Sequence, residues 1–218
     1  MHDMIKHTLL VATAFFLLLF ALACKNTPSE NKEKNIAYPV IKADSTHGFE
    51  GCEMAGFKAL SDTTREFVYQ KHLIQIKDRQ GEPGEKIDLV LLPDSIRLGL
   101  PATEEGYFSG LAYGHFFVDI GTGPDLRELV IYRIKPEGIF QVYQTPYYPE
   151  PAPFVSGNGG IWFYAPIEES EMVKMPDCPD REKWIKDGLR VGYGQRIIYD
   201  LKDRMLTRKS EYVCVPLQ

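Results

Sequence analysis

The residues best placed to do chemistry lie in Asp119-Ile-Gly-Thr-Gly-Pro-Asp125-Leu-Arg127-Glu128. Two glycines allow a tight backbone path, so Asp119, Asp125 and Arg127 can converge at one rim. Two carboxylates and a guanidinium in one loop would suit calcium or anion binding. The acid spacing does not fit an EF-hand loop, and the Gly-Thr-Gly-Pro-Asp step is not repeated as a calcium β-roll requires. No Gly-Lys-Ser/Thr follows, so a phosphate loop is not indicated. The ordinary alternative is a hairpin turn in which Asp125 caps backbone amides and Arg127 pairs with a carboxylate.

A second segment offers binding rather than reaction: Tyr143-Gln-Thr-Pro-Tyr-Tyr-Pro-Glu-Pro-Ala-Pro-Phe154, then Ser156-Gly-Asn-Gly-Gly-Ile-Trp-Phe-Tyr164. Prolines at 146, 149, 151 and 153 cannot donate to a ladder, which predicts an extended or polyproline-like loop. Exposed there, Tyr147, Tyr148 and Trp162 form a flat platform for a glycan or an edge for a protein partner. Packed on a sheet instead, the same rings are a cover, with Trp162 in the core.

Catalytic sets are sparse. His47, His72 and His115 have no short-range metal spacing, and no Gly-x-Ser-x-Gly is present. Glu104-Glu105 and Glu168-Glu169 read as solvated loop faces, although acids distant in sequence can meet in a fold. Cys52 stands between Glu50 and Glu53, and carboxylates beside a thiol raise its pKa. It reads as a buried thiol acting as a small hydrophobe, with His47, His72 or His115 the only bases a nucleophile would have. No catalytic residue, metal or cofactor is assigned.

The elements that must position these groups show period two. Glu66–Lys77 and Lys86–Leu92 read as strands joined by a turn-rich Asp78–Glu85. Further strands are predicted at Tyr113–Ile120, Glu128–Ile134, Ile139–Gln144, Gly160–Tyr164, Gln195–Leu201 and Leu206–Val215. One short helix is predicted near 181–187, with Asp180 as N-cap and Gly188 as its stop, and with Trp184 and Ile185 pinning it to a sheet. The class is mainly β: a single antiparallel meander, barrel or sandwich-like domain. Val130-Ile-Tyr-Arg-Ile-Lys135 with Ile139 is echoed by Ile197-Ile-Tyr-Asp-Leu-Lys202 with Leu206. Each reads as a strand and turn with outward Tyr and Lys. Hairpins under similar constraints give such echoes, as does a duplicated β-unit.

The N-terminus sets the compartment. The apolar run Leu9–Ala23 would span about 22 Å as a helix, short of the ~30 Å hydrocarbon core, which fits a signal peptide over 1–23 better than a membrane span. Ala21-Leu22-Ala23-Cys24 resembles the box of bacterial lipoproteins at its last two positions and departs from it at the first two. That resemblance implies cleavage before Cys24 and acylation of it, with positions 24–45 as a flexible tether and 46–218 as the β-rich domain. Ala21-x-Ala23 also suits ordinary signal peptidase, which would leave a secreted or periplasmic soluble protein. The Asp119–Arg127 stretch resembles Asp-x-Gly-Thr-x-Pro-x-x-Arg segments of uncharacterised β-rich bacterial envelope proteins, over a dozen residues and with no activity to carry over.

Cysteine usage follows from that choice. Of the four cysteines, an acylated Cys24 leaves three, and Cys178–Cys214 is the expected bridge because both flank one hairpin-like region. A free Cys24 would allow two bridges in three connectivities. The net charge of −5, without a basic stripe, argues against nucleic acid as a partner. The expectation is a membrane-tethered envelope lipoprotein with a non-catalytic binding or structural role, whose partner is an envelope protein or a glycan. The alternative is a small envelope hydrolase or enzyme inhibitor using the Asp119–Arg127 loop or the aromatic loop 143–164.

Overall fold

The computed structural model describes residues 48–100, 106–121 and 123–218. Cys24, the apolar run, the tether, His47 and Glu104-Glu105 lie outside them. Among the described residues thirteen strands form three antiparallel meanders in chain order. The first sheet holds β1 (Gly56–Ser61), β2 (Thr64–Val68), β3 (His72–Asp78), β4 (Glu85–Leu91) and β5 (Ile96–Leu98). The second holds β6 (Gly106–Ala112), β7 (His115–Ile120), β8 (Arg127–Lys135) and β9 (Gly138–Tyr147). The third holds β10 (Phe154–Val155), β11 (Gly160–Pro166), β12 (Arg190–Asp200) and β13 (Leu206–Leu217). The class is therefore mainly β and antiparallel, as the period-two pattern implies.

Alternation along β7 and β8 explains how the sheets pack. Side chains two apart share a face. Phe116, Val118, Val130 and Tyr132 pack with Phe67, Ile74 and Leu89 of the first sheet. Their neighbours Phe117, Leu129 and Ile131 pack with Ile161, Phe163 and Ile197 of the third. The second sheet is thus apolar on both faces, and each fully buried phenylalanine contributes about 1.5–3 kcal/mol. The first sheet is also tied to β6 by polar contacts: Glu85 takes both the Arg65 guanidinium and the Phe108 amide.

Several expectations need correction. The run 66–77 is two strands, because the chain reverses at Tyr69-Gln-Lys71, where Tyr69 N donates to the His72 carbonyl. In the echoed segments the tyrosines point inward: Tyr132 and Tyr199 are buried. Both segments lie on the third strand of their sheet, and Val130/Tyr132 and Ile197/Tyr199 face the preceding sheet alike. The short helix α1 (Arg181–Lys186) forms, but Ile185 is exposed and Asp180 makes no side-chain cap. Half-buried Trp184 alone can pin it.

The segment 48–53 seams the second sheet to the third. Phe49 N donates to Ser109 O (2.9 Å) and Glu53 N to Leu111 O (2.7 Å), both on β6. Val155 N on β10 donates to Glu50 O (2.8 Å), and Glu50 forms a parallel bridge with Phe154. Phe49 then packs on Phe117 and Tyr147.

Cys178 and Cys214 are disulfide-bonded, with Cα atoms 5.7 Å apart across a sequence separation of 36. The bridge fixes the chain after the 3₁₀ turn Glu169–Glu171 to β13, where Val173 N also meets the Tyr212 hydroxyl. Closing such a loop stabilises by about 4 kcal/mol in the chain-entropy account. Calorimetry of the Cys178→Ala/Cys214→Ala double variant is expected to show a melting temperature lower by several degrees. Reductant should lower the wild type equally and leave the variant unmoved.

Candidate functional site

Three strands build the site. Asp119 lies near the end of β7, Arg127 opens β8 and Tyr147 closes β9. The register sets Arg127 opposite Tyr147 and Asp119 opposite Leu129, so Asp119 and Arg127 are diagonal neighbours on one face. Arg127 Nη2 lies 2.8 Å from Asp119 Oδ2 and donates to Gly121 O at 2.7 Å. The Tyr147 hydroxyl lies beside the same carboxylate and favours its charged form. Asp119 Oδ1 and Arg127 Nε have no hydrogen-bond partner among the described residues.

Burial dominates the electrostatics. It pushes the Asp119 carboxyl above the usual carboxylate range, and Tyr147 and Arg127 pull it back only in part. Burial, with the Asp119 charge beside it, also pushes the Tyr147 phenol up. The expected pairing of Arg127 with a carboxylate is therefore present, and its partner is Asp119. Asp125 Oδ2 accepts the Gln218 amide at 2.8 Å, so it does cap a backbone N–H, on a segment remote in sequence.

Asp125, Arg127 and Tyr148 line one cleft of about 410 Å³, together with Pro149 and Glu150 and, from the third sheet, Val215. Two segments read separately in the sequence thus meet at one place. The aromatic trio does not form a platform. Tyr147 and Tyr148 are 1% and 5% exposed, because Tyr147 is a strand residue and Tyr148 N bonds Tyr164 O. Pro146 sits within β9 rather than in a loop, which an edge strand tolerates. Trp162 lies apart from the cleft lining and is neither core nor free. Phe154 meets it edge-on at 5.6 Å, and the Arg196 guanidinium covers its ring at 3.8 Å. Arg196 in turn pairs with Glu211.

Sequence reading missed Glu150, Leu189, Val215 and Pro216 in the cleft wall. Val215 and Pro216 arrive through the β12–β13 register, which no local motif encodes, and Leu189 directly precedes β12. Arg196 over Trp162 had no signal either, since the two lie on different strands.

Among the described residues Cys52 is the free thiol, hydrogen-bonded to Ser109 O at 3.8 Å and packed on the core shared by the second and third sheets. Burial, and then Glu53, push its thiol up to about 12, so it is not a thiolate near neutrality. Among the described residues no group of three His, Cys, Asp or Glu could hold a metal ion.

His115 is buried, with Nδ1 2.9 Å from the Tyr113 carbonyl and Nε2 unpartnered among the described residues. Burial lowers its pKa; the Tyr113 carbonyl opposes this, while Arg133 and Arg204 add to it. The unfolded imidazole protonates near ~6.5. The stability tied to a neutral His115 is therefore present above that pH and lost as pH falls towards the lower folded value. Melting temperatures of His115→Gln should fall less than wild type between pH 7.5 and 5. Parallel pH profiles would count against this account.

The fold and cleft together define an antiparallel β domain of three sheets with a largely apolar cleft, bearing Asp125, Arg127 and Glu150, where the second meets the third. No known protein-family model matches the chain, and a search of curated proteins finds no match.

Proposed function

We propose that the chain is a lipid-anchored protein of the bacterial cell envelope whose β domain acts by binding rather than by catalysis. Cys24, at the junction of the apolar run and the polar tether, supports the anchor. One observation carries the binding reading: segments remote in sequence, 123–127 and 148–150, come together at a cleft where Arg127 is held by Asp119 beneath it. Asp125 and Glu150 line its wall without an ion pair among the described residues. An acid catalyst needs a carboxyl that faces its substrate with a proton to give. Asp119, whose carboxyl burial pushes above the usual range, is 8% exposed and paired with Arg127.

Intact-mass measurement of native, membrane-extracted protein, with and without reductant, tests the anchor. The expected species begins at Cys24, carries acyl chains and gains two hydrogens on reduction of one disulfide. A species with an unmodified amino terminus would overturn the anchor reading.

A further inference from the structure

We propose that the groove on either side of Tyr148 docks an extended segment of a partner protein bearing lysines or arginines. The inference rests on the binding reading above and names its partner. Two depressions share Tyr148 as a wall. One is the cleft already described. The other, of about 500 Å³, is lined by Tyr148, Ile167, Tyr193 and Leu217, with Glu168, Glu169 and Glu171 at its rim. Gly192 leaves room there, since a Cβ on it would come 2.9 Å from the Tyr148 hydroxyl.

Charge selects the occupant. Asp125 and Glu150 line one depression, and the three glutamates line the other. None of these five carboxylates forms an ion pair among the described residues. The one cation in either lining, Arg127, is already neutralised by Asp119. Asp125 accepts the Gln218 amide, and Glu168 and Glu171 form a capping box on the 3₁₀ turn, but among the described residues no cation neutralises any of the five. The groove therefore offers net negative charge beside its tyrosine and proline faces, and such a concave field concentrates cations.

The floor selects an extended chain. Tyr148 divides the groove into two open halves, and Pro124, Pro149, Pro166 and Pro216 line them. Proline presents an apolar face without an amide donor. Long cationic side chains can lay their methylenes on those faces while their heads reach the rim carboxylates. Asp125 lines the depression on one side of Tyr148 and Glu168 the one on the other, and after burial these two charges raise the Tyr148 phenol. A short compact cation would engage only one half.

The test uses the full-length chain in detergent and a fluorescein-labelled (Lys-Pro)5 peptide, read by anisotropy at roughly 50 mM salt, where exposed charges are least screened. Two variants carry the same change in net charge. One is Asp125→Asn/Glu150→Gln/Glu168→Gln/Glu169→Gln in the groove. The other is Asp62→Asn/Glu66→Gln/Asp88→Asn/Asp94→Asn on the first sheet. The groove variant should bind at least about tenfold more weakly, and the other within about twofold of wild type. Charge reversal at exposed Glu150 and Glu169, checked by an unchanged melt, should give the same loss. Equal loss in both neutralised variants, no binding by wild type, or spermine binding as tightly as the peptide would each overturn the proposal. An acylated chain that ignores the peptide overturns the groove alone, whereas an unacylated chain that binds it overturns only the anchor.

Discussion

Gly51→Ala is expected to destabilise the domain by about 4 kcal/mol or more. Gly51 has φ +82, and a Cβ there would lie 1.9 Å from Val155 O and 2.9 Å from Val155 C. Those are backbone atoms that cannot swing aside. Val155 N is bonded to Glu50 O and Val155 pairs with Ile161, so relief means tearing the segment from β10. The left-handed conformation alone costs of order 1 kcal/mol for a side-chain residue, and displaced packing adds the rest. Gly81→Ala is the internal control: its φ is +78, but nothing lies within 4 Å of its Cβ. Urea titrations of the two variants should differ by at least about 2 kcal/mol. Equal losses would show that the seam between the sheets is not what Gly51 serves.

Arg127→Met is expected to destabilise by roughly 3–5 kcal/mol, because it strands the buried Asp119 carboxylate without its cation. The sign of its pH dependence follows from burial. Asp119 titrates higher in the fold than in the unfolded chain, so the folded state holds its proton more tightly. Its favourable contribution is present below the unfolded value of ~3.9 and is lost as pH rises through the folded value. Removing Arg127 raises that folded value further. The deficit of Arg127→Met relative to wild type should therefore widen from pH 4 to pH 8. The double replacement Asp119→Leu/Arg127→Met should recover much of the loss, since well-packed apolar groups can replace a buried pair. A deficit that is flat with pH, or a double variant as weak as the sum of the singles, would count against the buried-charge account.

Much of the fold was legible because alternation is a direct imprint of a sheet with two chemically distinct faces. Phe116 through Val118 and Leu129 through Tyr132 are apolar without a break, which is the mark of a strand covered on both sides. β6 was not legible: Gly106, Ser109 and Gly110 look like loop residues. Gly110 is needed because a Cβ there would lie 2.6 Å from the Cys52 sulfur, where the seam segment crosses. The reversal at Tyr69-Gln-Lys71 was missed because it carries no glycine, proline or asparagine. At the site, turn chemistry gave the roles of Asp125 and Arg127. The meeting of Asp119 with Tyr147 depends on the register of β9 and on Leu129 facing Thr145, which are set by tertiary packing.

The seam formed by residues 48–53 also decides where mechanical tension enters the domain. Chain upstream of Gly48 joins the fold between two sheets rather than at a free outer edge. A pull from that side is borne first by Phe49 N to Ser109 O and then by Glu50 O to Val155 N. Resistance to such a pull is governed by the rate of unfolding rather than by equilibrium stability. Rupture of those few bonds would free the seam while the second and third sheets, which supply the walls of the Tyr148 cleft, stay joined by their shared apolar core.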